Sequence, residues 1–522
     1  MSDALAGLAR SLALALTERP SVTGTPDEAS FGPWLLGYLS AQPHWEGSEA
    51  WSFPVAEGDG RHVVCLLLRR GGPRTVILTG HYDTVTTEDY GDLRPLATSP
   101  ETLLPALAAR VAGATEGAEA LAREDLASGT FIPGRGLLDM KGGLAAGLAA
   151  MAAFAEEPGA TGSLLFVAVP DEESSSAGAR AAAAALGSIA EARGLDIAAA
   201  VNLDSAADDD DGAEGRVVTF GTVGKVLPVL HVAGVASHSG YPLRGLNAAA
   251  LAAAVAARLE WAPELRGDDG TPATLLSLRD GKTGYDVTVP ASAQATLSIL
   301  FGRADPAGVL PAVARLAEEA ARDALRAWRA RADLPPEAPA LQDIPVHLWG
   351  DLLTPEARPE MDALAARLKA GGMDLPTAAP LLLEALWRRE GRGPGIVLGL
   401  GSTPYLAATL RSGPLRAACE AVAAQTAPRL GTSLTVVERF AGISDVSFWG
   451  QADASAFGRL ARHTPGWDSF VGLHEGSLAQ VPTVNLGPWG RDYHTPLERI
   501  EADYAFRLLP RLLLDLCRRV LA

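Results

Sequence analysis

The sequence predicts an α/β protein: a mostly parallel central sheet covered by helices, interrupted by an inserted two-layer α+β (ferredoxin-like) domain. Three observations predict it. Short apolar runs alternate with helical runs up to about residue 220; the order becomes β-α-β-β-α between about 224 and 330; the first rhythm returns after residue 395. Strand–helix alternation indicates parallel strands joined by helical crossovers, whereas the second order suits helices on one face of a small antiparallel sheet. With 522 residues the chain exceeds one ordinary core, so several domains are expected.

The opening run MSDALAGLARSLALALTERP carries an apolar stripe broken by Asp3, Arg10 and Glu18, and reads as an amphipathic surface helix rather than a signal peptide. VVCLLLRR, TVILTG, LLFVAVP and AAAVNLD read as strands, and GGLAAGLAAMAAFAEE and AGARAAAAALGSIAEARG as helices, making 1–223 the first part of an α/β domain. In 224–335 the strands are KVLPVLHVAGVA and QATLSILFG, and the helices LNAAALAAAVAARLEW and PAVARLAEEAARDALRAWRARA. Residues 336–394 form an extra helical segment. GPGIVLGLGS, SLTVVERF, PTVNLG and the closing helix YAFRLLPRLLLDLCRRVLA are assigned to 395–522, the second part of the α/β domain.

Composition excludes several classes. A chain 48% hydrophobic and 20% charged is neither disordered nor membrane-embedded, and no run of about 18 apolar residues predicts a transmembrane span. The net charge of −18 argues against nucleic acid or an anionic membrane as partner. Cys65, Cys419 and Cys517 lie far apart with no CxxC pair, so neither a disulfide framework nor a thiolate metal site is expected, and the expected location is cytoplasmic. The run Asp208–Asp211 reads as a solvated loop rather than a calcium site.

The chemistry centres on VAVPDEESSSAG. An apolar run stops at Asp171, Glu172 and Glu173, three acids whose mutual repulsion and desolvation need an offset from solvent, basic partners or metal ions. His81 and Asp83, in ILTGHYDTV, are two residues apart and can share a strand face, where a carboxylate accepting the far ring N–H would make the histidine a better ligand. Alone, His81 reads first as a buried structural histidine and Asp139, in GRGLLDMKGG, as a helix N-cap. Asp204 in VNLDSA and His494 in GPWGRDYHTPLERI join them. Most of these groups follow predicted strands, and ligands in such folds gather at the carboxyl ends of strands.

The series GHYDTV, GRGLLDMKGG, PDEE, NLDS, ASHSGYPLRGLNAA and HTPLE, in that order from His81 to Glu498, resembles the co-catalytic zinc peptidases, a family that includes aminoacylase, carboxypeptidase G, succinyl-diaminopimelate desuccinylase and peptidase T. SVTGTPDE, GISDVSFWG and the length are similar to its arginine-utilisation branch, RocB. The resemblance implies a metal-dependent hydrolase of an amide bond in a small N-acyl amino acid or short peptide, linked to arginine catabolism. Asp139 would bridge two divalent ions, zinc first with cobalt or manganese also accepted; His81 and Asp204 would complete one site, Glu173 and His494 the other. Glu172 would be the general base, Asp83 would orient His81, and the Asp139–Met140 peptide would be cis. Such ions would offset the crowded acids and activate a water whose proton Glu172 passes to the leaving nitrogen.

The resemblance further implies that His238 holds the substrate carbonyl or oxyanion, that Asn247 binds substrate, and that the inserted domain serves as lid and homodimer surface. Asp171 is expected to face solvent without a role. Leu300 stands near the position of the family's carboxylate-binding arginine, with Arg303 as substitute. The insertion 86–134 either shapes the cleft or is a surface excursion. The rival reading is a non-catalytic metal- or ligand-binding protein that retains the fold.

Overall fold

Three strands that carry His81, the acidic pair and Asp204 lie side by side in one sheet, and the rest of the fold positions them. The computed structural model describes the chain except Met1, 209–211, 268–269, 303–304 and 331–337. It forms two units: Met1–Thr222, Ala408–Ala452 and Ser477–Ala522; and Val223–Ala407 with Asp453–Gly476.

In the first unit the strands are β1 (Glu49–Pro54), β2 (His62–Arg69), β3 (Arg74–His81), β4 (Ser163–Val169), β5 (Asp196–Asn202), β6 (Val217–Thr219), β7 (Thr435–Val437) and β8 (Thr483–Asn485), in sheet order β1-β2-β4-β3-β5-β8-β6-β7. The four central strands β4, β3, β5 and β8 are parallel, while β1–β2, β2–β4 and β8–β6 are antiparallel. With β6–β7 also parallel, the sheet is mixed: parallel pairs are in the majority, as expected, and the antiparallel pairs are additions to that expectation. For β1–β2 the cause is local: the short loop between Pro54 and His62 leaves no room for a crossover helix, and a short connection joins antiparallel neighbours.

The core of this unit gathers helices Ser2–Glu18, Gly142–Glu156 and Leu509–Leu521 with the inner strands. Among the described residues, Leu137–Glu156 is long and apolar enough to cross a membrane, yet it is almost entirely buried in the protein. Its glycines have a positional task. A Cβ on Gly143 would lie 2.0 Å from the Leu203 carbonyl oxygen, and one on Gly147 2.6 Å from Leu203 Cδ1, so both let the helix close onto the residue before Asp204.

The second unit has a β-α-β-β-α-β order. Strands Thr274–Asp280, Ser292–Phe301, Pro228–Ala233 and Gly395–Leu400 are antiparallel neighbours in that sheet order, with helices Ala248–Leu259 and Val309–Ala330 in the connections. The expectation is corrected at Gly395–Leu400. Assigned from sequence to the other domain, this strand pairs with Pro228–Ala233 and supplies the fourth strand that the predicted β-α-β-β-α lacked. An all-apolar run such as GIVLGL suits either sheet, and only pairing chooses. Helices Arg358–Ala370 and Leu375–Arg389 precede it and pack Leu382, Leu383, Leu386 and Trp387 against Val229 and Val397, so they too belong to this unit. Arg303 lies outside the described residues, as do 209–211. Asp208, expected in a solvated loop, is buried, and its carboxylate accepts from the Glu214 N–H at 3.0 Å. A run of acids does not reveal which member turns inward to close a turn.

His231 sits in the middle strand of this sheet, 2% exposed, with no hydrogen-bond partner for Nδ1 among the described residues. Burial, aided by Arg388, pushes its imidazole from 6.5 down to about 4. Because the folded value lies below the unfolded one, its stabilising contribution is complete above about pH 6.5 and is lost as pH falls towards 4. From about pH 7 to pH 5 the parent should lose about 2 kcal/mol more unfolding free energy than His231→Leu, as denaturant titration would measure. Equal losses would refute this.

Candidate metal centre

β4, β3 and β5 run parallel, with Val169 beside His81 and Asn202 beside Thr79, so their carboxyl ends open on one edge. His81 ends β3, Glu172 and Glu173 follow β4, and Asp204 follows β5. Asp139 comes from the turn before helix Gly142–Glu156, and His494 from the loop between strands Trp489–Arg491 and Arg499–Glu501. The Asp139–Met140 peptide is cis.

These residues form two groups joined by Asp139. His81, Asp139 and Asp204 place one donor atom each within 4.8 Å of one another, as do Asp139, Glu173 and His494. Asp139 divides its oxygens between them: Oδ1 lies 3.2 Å from His81 Nε2 and Oδ2 3.1 Å from His494 Nε2. His494 Nε2 is also 3.0 Å from Glu173 Oε1, and His81 Nε2 is 3.9 Å from Asp204 Oδ1. Glu172 belongs to neither group.

The supports differ in part from expectation. His81 Nδ1–H donates to the main-chain carbonyl of Asp83 at 3.0 Å, with the carboxylate Oδ1 farther off at 3.6 Å. That bond still orients the ring so that Nε2 faces Asp139 Oδ1. The Asp83 carboxylate instead accepts from the main-chain N–H groups of Glu172 (3.1 Å) and Glu173 (3.2 Å) and from the Thr23 hydroxyl (2.8 Å), holding the acidic turn against β3. Asp171, expected in solvent, is buried with φ +70°. It pairs with Arg61 and accepts from Ser175 Oγ at 2.5 Å and the Ala177 N–H at 3.0 Å, at the start of helix Ala177–Arg193. A carboxylate satisfied by a guanidinium and a helix N-terminus can be buried at modest cost, which the bare sequence PDEE does not reveal.

Asp204 is fixed through its main chain. Asn485 of β8 accepts from the Asp204 N–H at 3.1 Å and donates to its carbonyl at 2.9 Å, and Asn202 donates to Asn485 at 2.9 Å. Asn202 opens the NLDS motif without a role read for it there, and Asn485 lies in PTVNLG, which reads only as a strand. Asp445 lies in the GISDVSFWG stretch, which by sequence carries only the branch resemblance, yet it is a buried carboxylate whose charge raises the proton affinity of Glu172 and Asp204. Thr23 likewise lies in SVTGTPDE, where position in the sequence gave no sign that it reaches Asp83.

Electrostatics decide whether this donor set suits cations. Burial, then the neighbouring Asp139 charge, raises Asp204 to about 8; burial raises Asp445 to about 7, Asp83 to about 6 and Glu172 well above the carboxylate range. Burial would raise Asp139 too, but hydrogen bonds from His494 and His81 hold it below that range. Contacts with Asp139 and Glu173 lift His494 to about 10. Buried acids so outnumber the two imidazoles that protons are held where cations would replace them. Oxygen and imidazole donors in two groups sharing one carboxylate fit two divalent cations. His238 and Asn247 belong to the second unit. His238 is exposed, with Nδ1 accepting from the Gly240 N–H at 3.0 Å; Asn247 caps helix Ala248–Leu259, accepting from Ala249 and Ala250 at 2.9 and 3.2 Å.

A shared aspartate between two histidine–carboxylate groups, at the carboxyl edge of an α/β sheet, marks the class: a protein with a candidate dinuclear metal centre. The chain belongs to peptidase family M20/M25/M40, whose model matches residues 77–507. It is similar to two Bacillus subtilis (strain 168) proteins: YqjN, 27% identical over 96% of this chain and 94% of that one, and RocB, 25% identical over 96% and 93%. In structure it is similar to a tripeptidase from Staphylococcus aureus, with a TM-score of 0.56 at 16% identity over 99% of this chain and 98% of that one, a likeness of fold.

Proposed function

We propose that this protein is a metal-dependent hydrolase that cleaves an amide bond of a small N-acyl amino acid or short peptide. The observation that carries the reading is Asp139 with one oxygen turned to each histidine, between two complete donor groups. His81, Asp139 and Asp204 would hold one divalent ion, and Asp139, Glu173 and His494 the other, with zinc, cobalt and manganese compatible with such donors. When bound, the ions supply Lewis acidity and an acidified water. Glu172 accepts the water's proton and delivers it to the leaving nitrogen. Its main-chain N–H is anchored on Asp83, which holds the acidic turn in place while the neighbouring Glu173 would ligate.

The similarity to RocB supports an arginine-related amide as the first substrate to assay. His238 and Asn247 are proposed substrate contacts, on a second unit acting as lid. Tyr241, Trp261, Leu276, Leu278, Tyr285 and Val287, all exposed on that unit, support a homodimer through it. Three buried free cysteines support a cytoplasmic setting.

The test is hydrolysis of a panel of acyl-amino acids, arginine amides and dipeptides by protein stripped with a chelator and then reloaded with zinc, cobalt or manganese. Turnover should vanish on stripping and return with metal. Two bound ions without turnover on any panel member would favour the rival, a binding protein that retains the fold.

A further inference from the structure

The insertion 86–134 supplies no donor to either group, yet it reaches the loop that carries His494. We infer that Asp125, on the insertion's helix Gly117–Ser128, is a positioning residue for His494, holding the second ion's site by bridging two buried arginines at the base of that loop. The inference rests on the dinuclear reading above.

The loop closes a hairpin in which Arg491 lies directly across from Arg499. Both are buried, at 7% and 0% exposure. Like charges facing each other in an antiparallel pair repel, and buried guanidiniums without an anion cost far more. Asp125 supplies the anion. It accepts from Arg491 Nη1 at 2.8 Å on each oxygen and from Arg499 Nε at 2.7 Å, with Arg499 Nη2 2.6 Å away. Phe131, at the insertion's end, lies 5.2 and 5.8 Å from the two guanidiniums.

From there the contacts run into the loop. Arg499 Nη1 donates to Asp492 Oδ2 at 2.6 Å and to the Leu497 carbonyl at 3.0 Å, and the Asp492 carbonyl accepts from the Thr495 N–H at 3.1 Å and hydroxyl at 2.9 Å. Asp492 and His494 have φ of +54° and +63°, a conformation that side-chain-bearing residues keep only when their surroundings impose it. A second tie runs in parallel. Asp89 of the insertion accepts from Arg135 Nη2 at 2.6 Å, Arg135 Nη1 donates to Glu498 Oε2 at 2.7 Å, and Glu498 Oε1 accepts from the Gly136 N–H at 2.8 Å, joining the hairpin to the turn that presents Asp139. The insertion thus acts on geometry without touching an ion.

The experiment is titration of ion-free full-length protein with zinc or cobalt by calorimetry, for the parent and Asp125→Asn. One of two binding steps should weaken about 10–100-fold while the other stays within about threefold. In a His81→Ala background, where Asp139, Glu173 and His494 remain to hold an ion, Asp125→Asn should weaken the remaining step by the same factor. If Asp125→Asn does not fold, the charge-balanced double variant Asp125→Asn with Arg491→Gln should show the same selective loss. Parent affinity at both steps overturns the inference, as does an equal loss at both accompanied by a fall in the ion-free melting temperature. A parent that binds fewer than two ions overturns the dinuclear reading and the inference with it.

Discussion

Glu172→Gln is expected to lower turnover by about 10²–10⁴-fold while both ions stay bound. The glutamine keeps the size of the side chain and the main-chain N–H that Asp83 holds at 3.1 Å, so the acidic turn keeps its place. What disappears is the group that takes a proton from water and returns it to nitrogen. Glu172 lies outside both donor groups, so metal content should not change. Metal analysis beside steady-state kinetics separates the cases: a variant that loses ions makes Glu172 a ligand, and one that keeps turnover removes it from the reaction.

Asp139→Ala should have the broadest effect on metal, because one side chain serves both groups. Truncation leaves His81 with Asp204, and His494 with Glu173, at two incomplete sites. Affinity for both ions should fall by more than the roughly 10–100-fold typical of losing a supporting contact, with turnover at background. Dialysis against dilute zinc followed by metal analysis would measure it. Retention of two ions at parent affinity would show that the two groups do not share a bridge. The buried Asp139 accepts hydrogen bonds from both imidazoles, so the ion-free variant should also melt at a lower temperature.

Legibility of the fold followed the range of the forces involved. β3, β4 and β5 could be read because each is a continuous apolar run ended by polar residues, a pattern imposed by burial on both faces. The hairpin β1–β2 is not legible because β1, EAWSFP, is half-exposed and too short to carry a clear period. Sequence alone does not assign Gly395–Leu400 to its sheet, because its partner, Pro228–Ala233, lies more than 160 positions earlier, and nothing local to an apolar strand names its neighbour.

The site divides in the same way. His81, Asp139, Glu172, Glu173, Asp204 and His494 could be singled out from the sequence because their motifs follow one another in the order of the family the chain resembles, although each residue alone is ambiguous. Tertiary structure alone decided what holds them: a carbonyl rather than a carboxylate on His81 Nδ1, Asp83 on the backbone of the acidic turn, Arg61 on Asp171, and Asp125 between two arginines. Those partners lie up to several hundred residues apart and have no periodicity. A buried charge must find its counter-charge wherever folding brings one, and that choice is made in space rather than along the chain.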